Sequence, residues 1–450
     1  MEAEIKLKQP KGLWLLSFTA IWERFSYYGM RAILVLYVAN DALNPANRKA
    51  HLGGLGLPEN SAGWIYSNFT MMCYLLPLLG GIISDKYLGK RRSVIVGGLF
   101  IMFGHFTMAA DINFYTFITG LSLLAIGNGF FKPSAPSMIG DLYEQGDPRR
   151  DSGFTLYYTL FNGGAFFAPL ICGYFGETYA YRYGFLTAGI AMAMGLIVYS
   201  IYAQRFLGEI GKFKPKTVAV DANAEIKKTP LTKEEKDRIS VILVLMFFVT
   251  FFWAGFEQAG STFTLYTDKF LDKTIFGWEM PTSWLQAVNP VFIVILGPLF
   301  SMLWVSLAKK KKNPSSPIKM GIGMMSLAVG FLFMIGAVLQ RGNSSDIAIK
   351  ASILWMIATY LFHTIGELCL SPIGLSMVSK LAPIKMASLF MGVWFLSSAA
   401  ANYASGLMII FANTFGYMAL FTMFAVVVGA LGIIVFLISR WLLNRMHGRD

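Results

Sequence analysis

The chain has 450 residues, 55% of them hydrophobic and only 14% charged, with a mean hydropathy of +0.55. Soluble domains carry roughly a quarter charged residues, so the composition argues against a water-soluble protein. The net charge of +13 at pH 7 would suit a nucleic-acid binder, but the distribution of the bases rules against that reading.

Crossing a bilayer core takes about 20 apolar residues. Runs of that kind predict twelve membrane-spanning helices, roughly 14–39, 61–83, 92–110, 113–140, 152–174, 182–207, 240–268, 282–308, 317–339, 348–379, 386–412 and 415–444. The expected fold class is an all-α membrane protein. With the N-terminus in the cytoplasm, 28 of the 38 Lys and Arg fall on cytoplasmic segments, 7 on external loops, and Arg24, Arg31 and Lys132 inside helices. That asymmetry is the positive-inside signature and places both termini in the cytoplasm. The surplus bases then report topology and some attraction to anionic lipid. The first span follows MEAEIKLKQPKG without a small-residue cleavage site and reads as an uncleaved helix. Cys73, Cys172 and Cys369 all fall in predicted spans, at spacings that fit neither a metal site nor a disulfide framework.

Residues 208–239 form the longest polar stretch and divide the spans six and six. The expected organisation is therefore an N-terminal six-helix bundle at 1–207, a cytoplasmic linker at 208–239 and a C-terminal six-helix bundle at 240–450. Two bundles facing each other are the arrangement of the major facilitator fold. Between the second and third spans lies Gly81-x-x-x-Asp85-Lys86-x-x-Gly89-Lys90-Arg91-Arg92. A short turn carrying an acid and several bases suits a tight cytoplasmic loop whose charges bridge neighbouring helix ends. It resembles the loop motif of the major facilitator superfamily.

An ionisable side chain at mid-membrane costs at least about 2.5–3.5 kcal/mol, so each needs a partner or a purpose. The first span reads AIWERFSYYGMR. With Glu23 at zero, Tyr27 falls at about 40°, Arg31 at about 80°, Arg24 at about 100° and Tyr28 at about 140°. The five share one face, which lines an aqueous cavity rather than lipid; a purely structural ion-pair cluster is the competing explanation. Two arginines against one acid invite an anionic group. Other spans contribute Lys132, Glu257 and Glu367, with Asn162 and Asn289 as buried amides. Three bases and three acids balance, and a zwitterion with separated charges fits them. His363, one turn before Glu367, is a candidate partner for it, although a structural role suits it better.

The run Glu23-Arg24-Phe25-Ser26-Tyr27-Tyr28-Gly29 resembles the ExxERFxYYG motif of the proton-dependent oligopeptide transporter family. Further matches follow in order: Gly-Gly-x-x-x-Asp-Lys-x-x-Gly at 80–89, Phe-Lys-Pro at 131–133, and Phe154-x-x-Tyr157-Tyr158 with Asn162-x-Gly164-Ala165. After the linker come Phe-Trp-Ala-x-x-Glu-Gln at 252–258, Asn-Pro at 289–290, Gly-Glu-Leu-x-x-Ser-Pro-x-Gly at 366–374 and Met-Gly-x-Trp-Phe-Leu at 391–396. The resemblance implies a di- and tripeptide importer of the plasma (bacterial inner) membrane, a functional monomer driven by the proton gradient without a cofactor. By motif position it implies that Arg24, Tyr28, Arg31 and Lys132 meet the peptide carboxylate. Glu367, Asn162 and Asn289 would meet the amino terminus and backbone, while Tyr66, Trp253, Trp394 and Ser398 would line the side chains. Proton coupling and gating would rest on Glu23, Arg31, Lys132, Glu257 and Glu367, with an Arg31–Glu257 bridge made and broken during alternating access.

One position departs from the motif. Where the family keeps a Glu three residues before Glu23-Arg24, this chain has Ala20, at about 60° and so in the middle of the stripe. Coupling then rests on the remaining acids, or the protein is a weakly coupled or uncoupled carrier of peptides or another small solute, or the alanine is an introduced change. An arginine neighbour draws the proton off a carboxylate, so Glu257 near Arg31 would make a workable coupling site. A relative moving nitrate or a peptide-like compound competes with the peptide reading, but an anion carrier has no need of Glu367. A sensor on a transporter fold would add a signalling tail, and the ending RWLLNRMHGRD is short. No nucleophile–base pair, metal-ligand cluster or nucleotide loop points to an enzyme.

Overall fold

The computed structural model describes residues 8–44, 47–144, 147, 149–212, 231–383 and 386–449. Helix dominates: α1 (Lys11–Ala39), α2 (Glu59–Ile83), α3 (Lys90–Ala109), α4 (Phe114–Gly140), α5 (Arg149–Thr178) and α6 (Tyr181–Leu207) come first. There follow α7 (Lys233–Phe256), α8 (Thr262–Phe270), α9 (Val288–Lys309), α10 (Ser316–Gln340), α11 (Leu354–Leu381), α12 (Ala387–Phe415) and α13 (Tyr417–Met446). With α7 and α8 forming one interrupted span, these are the twelve expected from the sequence. Among the described residues, ten segments are long and apolar enough to cross a membrane. The other two, α1 and α5, are equally long but more polar; Glu23, Arg24 and Arg31 sit within α1.

The boundaries depart from the apolar runs where local chemistry outweighs hydropathy. Helix α7 begins at Lys233 rather than near 240, because Thr232 and Glu235 form a reciprocal capping box that starts the helix inside the polar stretch. The linker expected at 208–239 is therefore shorter at its far end; its middle, 213–230, lies outside the described residues. The span expected at 240–268 is broken by a 3-10 turn at Glu257–Gly260. There Gln258 turns its amide onto the Ala254 carbonyl and accepts from the Thr262 hydroxyl at 2.6 Å. Near 350 the backbone is extended rather than helical. A strand β1 (Leu271–Asp272) pairs in parallel with β4 (Ala351–Ser352), and β2 (Thr274–Ile275) with β3 (Trp278–Glu279) forms a hairpin.

Contacts divide the chain into two compact units, Met1–Leu55 with Met72–Glu225, and Gly56–Met71 with Ile226–Asp450. In the first, α1 packs on α5 and α6, and α3 packs on α4 and α6. Phe25, Ala168, Cys172, Ala188 and Ala191 form a small apolar nucleus on the side of α1 away from its charges. In the second, α10 packs on α11 and α13, and α7 on α12 and α13. Its core is rich in aromatics, including Phe252, Phe263, Phe331 and Phe421. The three cysteines are buried and free.

The loop after α2 behaves as its charges suggest. A π turn at Ser84–Leu88 leads to Gly89, and Lys90 pairs with Asp141 at the end of α4 at 2.6 Å. Arg91 bonds Gln204 and the Gly208 carbonyl at the end of α6. The two bases thus tie together the ends of three helices.

Candidate functional site

In the first unit the α1 stripe is real and graded. Glu23, Tyr27 and Arg31 are buried, while Arg24 and Tyr28 are half-buried. Phe25 joins the apolar nucleus instead, and the Ser26 hydroxyl donates to the Glu23 carbonyl within the helix. Ala20 is also buried, with 2% of its surface exposed.

Aromatic faces meet Arg24, Arg31 and Lys132 of this unit. The Arg24 guanidinium lies 4.6 Å from the Phe161 ring centre and 5.9 Å from that of Tyr28. Glu23 lies beside it, with Arg24 Nε 3.7 Å from Glu23 Oε2. Arg31 lies 5.9 Å from the Tyr28 ring. Lys132 sits between two rings, 4.6 Å from Tyr27 and 4.8 Å from Tyr74, and donates to the Cys73 carbonyl at 3.4 Å. Ring quadrupoles stabilise a cation without neutralising it. Glu23 Oε1 is buried without a hydrogen-bond partner among the described residues.

Backbone proximity explains how Lys132 reaches those rings. A Cβ on Gly80 would stand 2.0 Å from the Gly129 carbonyl oxygen. Only glycine lets α2 and α4 approach so closely, and the approach brings Cys73 and Tyr74 within reach of Lys132 on the next turn of α4. On α5, Asn162 is half-buried and donates to the Tyr158 carbonyl at 2.8 Å. Its side-chain oxygen has no part in that bond. The sequence reading missed Tyr74 and Phe161. Phe161 directly precedes Asn162, but an aromatic in an apolar span gives no signal of its own.

In the second unit, Asn289 at the start of α9 donates through Nδ2 to Glu367 Oε2 at 3.0 Å and to Thr364 Oγ1 at 2.9 Å. Two residues expected in the site are therefore in direct contact, and Thr364 joins them. His363 is not the partner of Glu367. It is buried against Phe256, Phe263 and Phe331, and its Nε2 has no hydrogen-bond partner among the described residues. Its role there is packing.

Glu257 is buried where α7 ends, and its backbone carbonyl accepts from the Ser405 hydroxyl at 2.9 Å. Ser261 also meets Ser405, oxygen to oxygen at 3.1 Å, so the break between α7 and α8 is stitched to α12. Trp253, one turn before Glu257, is half-buried and packs edge-on against Phe252 and Phe256. Tyr66 is fully buried on the half of α2 that belongs to this unit. Trp394 and Ser398 lie one turn apart on α12, both half-buried, and the Ser398 hydroxyl donates to the Trp394 carbonyl at 3.4 Å. Arg24, Arg31 and Lys132 thus belong to one unit, and Glu257, Asn289 and Glu367 to the other.

A model of the POT family matches residues 91–218 and 204–424 of the chain. The peptide transporter YePEPT of Yersinia enterocolitica is 34% identical over 451 residues, covering 87% of this chain and 86% of that protein. A di-/tripeptide transporter of Lactococcus lactis is 32% identical over 448 residues, covering 88% of each. The crystal structure of peptide transporter POT in complex with sulfate matches with a TM-score of 0.89 at 32% identity, covering 98% of this chain and 97% of that one.

Proposed function

The chain belongs to the POT family, and from that premise we propose that it carries di- and tripeptides across the membrane by alternating access, in symport with protons. It is a multi-pass membrane transporter of the major facilitator fold, not an enzyme. The reading places it in the plasma (bacterial inner) membrane as a monomer, with both termini in the cytoplasm.

One observation carries the substrate class. The first unit sets Arg24, Arg31 and Lys132 against aromatic faces, with Glu23 beside Arg24. The second offers Glu367 on an amide clasp. A free peptide carries the complementary pair of charges, a carboxylate for the cations and an amine for Glu367. On this reading Tyr28 joins the carboxylate side, and Asn162 and Asn289 bond the peptide backbone. Tyr66, Trp253, Trp394 and Ser398 shape the room for side chains. Glu23, Arg31, Lys132, Glu257 and Glu367 exchange charge partners as substrate and proton come and go. The relatives named as peptide and di-/tripeptide transporters support the same class.

Ala20 favours a second reading, a carrier with weak coupling or none, because a buried methyl stands in the stripe where a titratable group would stand. Peptide uptake into proteoliposomes decides between the two. The symport reading expects accumulation above the external concentration when the outside is acidified. Counterflow without such accumulation would leave a carrier and remove the symporter. The absence of both would overturn peptide transport.

A further inference from the structure

We propose that the β2–β3 hairpin is a membrane anchor, whose tip inserts Phe276 and its neighbours into the interface of the bilayer beside α9. The proposal concerns how the second unit is held in lipid and does not depend on what is transported.

The tip has an unfavourable construction for an isolated turn. Phe276 and Gly277 join Thr274–Ile275 to Trp278–Glu279, with φ of 50° and 82°. Two positive φ values mark the turn type that suits a hairpin's twist and selects Asn, Asp or Gly. A phenylalanine in the left-handed region is unfavourable, and here its ring is also wholly outside, at 106% relative exposure. Ile275 and Trp278 flank it at 43% and 44%. Neither turn chemistry nor packing within the chain accounts for an aromatic at this position. Burial in something outside the chain accounts for it.

The hairpin is held rigidly, so the exposed ring is presented rather than loose. Lys273 at its base is buried and meets Asp268 at 3.1 Å, Glu279 at 3.2 Å and the Thr282 hydroxyl at 2.8 Å. The Met280 amide closes onto the Lys273 carbonyl, and β1 pairs with β4 beside it.

Position identifies the occupant as lipid. The hairpin lies between two membrane-spanning segments, Lys233–Phe270 and Thr282–Lys309. The beginning of the first is tied to the end of the chain through Asp237, which pairs with Arg445 and His447; the hairpin is at its other end. Trp278 packs on Trp284 with ring centres 5.3 Å apart, and Trp284 lies in the first turns of the second span. Helix α9, which continues that span, has no buried residue and exposes Val294, Ile295, Leu299, Met302 and Leu303, an apolar surface that suits the bilayer. Trp and Phe at the end of such a span are what the membrane interface recruits.

The test uses the full chain in phosphatidylcholine–phosphatidylglycerol liposomes. An environment-sensitive fluorophore is attached at Thr274→Cys and, as a control, at Ser345→Cys, both exposed positions; the native cysteines are buried. A nitroxide on the lipid near the headgroups should quench the Thr274→Cys probe at least threefold more than the control, and aqueous iodide should quench it less. Adding Phe276→Asn, which suits the turn better, should remove the difference without lowering the melting temperature in detergent. Phe276→Leu should retain most of it. Equal quenching at both sites, or quenching indifferent to Phe276→Asn, overturns the anchor. Shielding from iodide without lipid quenching, rising with protein density, overturns it in favour of contact with a second copy.

Discussion

Asn289 holds Glu367 through its amide nitrogen at 3.0 Å, and the same nitrogen reaches Thr364 Oγ1 at 2.9 Å. The Thr364 hydroxyl spends its own hydrogen on the Tyr360 carbonyl at 2.7 Å, so towards Asn289 it can only accept. That fixes which way the amide is turned, since both hydrogens of Nδ2 are committed and Oδ1 is left to receive a donor. In the proposed site the donor is a peptide N–H.

Asn289→Leu should therefore raise the KM for a free dipeptide by about tenfold or more, the scale of a bond to a charged group. Thr364→Val should raise it by about threefold to tenfold, because only the orientation of the amide is lost. Thr364→Ser should restore the native value. Uptake competition with free and N-acetylated dipeptides makes the check. If Thr364→Val weakens both ligands equally, the threonine supports the helix and not the amine-binding clasp.

Lys132 offers a sharper test in the first unit. Its ammonium is held 4.6 Å and 4.8 Å from the Tyr27 and Tyr74 rings, and a cation–π contact away from water is worth about 2 kcal/mol. Tyr74→Leu should weaken binding of free peptides by about tenfold and spare peptides with an amidated C-terminus. Lys132→Arg should not substitute, since a planar guanidinium does not fit a site built for a point charge. Competition by the two ligand classes separates these outcomes. Equal losses on free and amidated peptides would detach Lys132 from the carboxylate.

The charged helix face and the number of spans were legible because the bilayer punishes exceptions: a carboxylate or guanidinium in an apolar run announces itself. Phe161 and Tyr74 did not, because an aromatic in a membrane helix looks the same whether it packs, faces lipid or cradles a cation. The break at Glu257–Gly260 was hidden for another reason. Gln258 interrupts the helix by bonding Ala254, Thr262 and Ser405, and the last of these is 147 residues away in the chain. Hydropathy likewise placed a helix start near 348, where a parallel pairing with Leu271–Asp272 holds Ala351–Ser352 extended.

Gly80→Val should destabilise the first unit by about 1–3 kcal/mol, the usual cost of overpacking, and by more if α2 cannot retreat from the Gly129 carbonyl. A lower melting temperature in detergent is the first expected result. The more informative result is a fall in peptide affinity at a temperature where the variant is still folded, because separating α2 from α4 withdraws Tyr74 from Lys132. Gly163→Ala is the control, since a Cβ there meets nothing within 4 Å, and its melting temperature should stay within about 2 °C of the native chain, as expected for a neutral change.

Ala20→Glu tests whether the missing acid matters. Ala20 is buried beside a stripe in which Glu23 is 3% exposed, with Oε1 lacking a partner among the described residues and Oε2 3.7 Å from Arg24. A second carboxylate in mid-membrane costs at least about 2.5–3.5 kcal/mol unless it is paired or protonated, and the stripe offers both remedies: a guanidinium when ionised, a nearby peptide carboxylate when protonated. The variant should accumulate peptide to a higher ratio than the native chain under the same acid-outside gradient. Its counterflow rate should stay within about threefold, as the binding groups are untouched. An unchanged ratio, with the native chain already concentrating peptide, would place coupling on Glu23, Glu257 and Glu367 without need of a fourth acid. A ratio at unity in both chains would make the protein a passive carrier, and the alanine would then not be the cause.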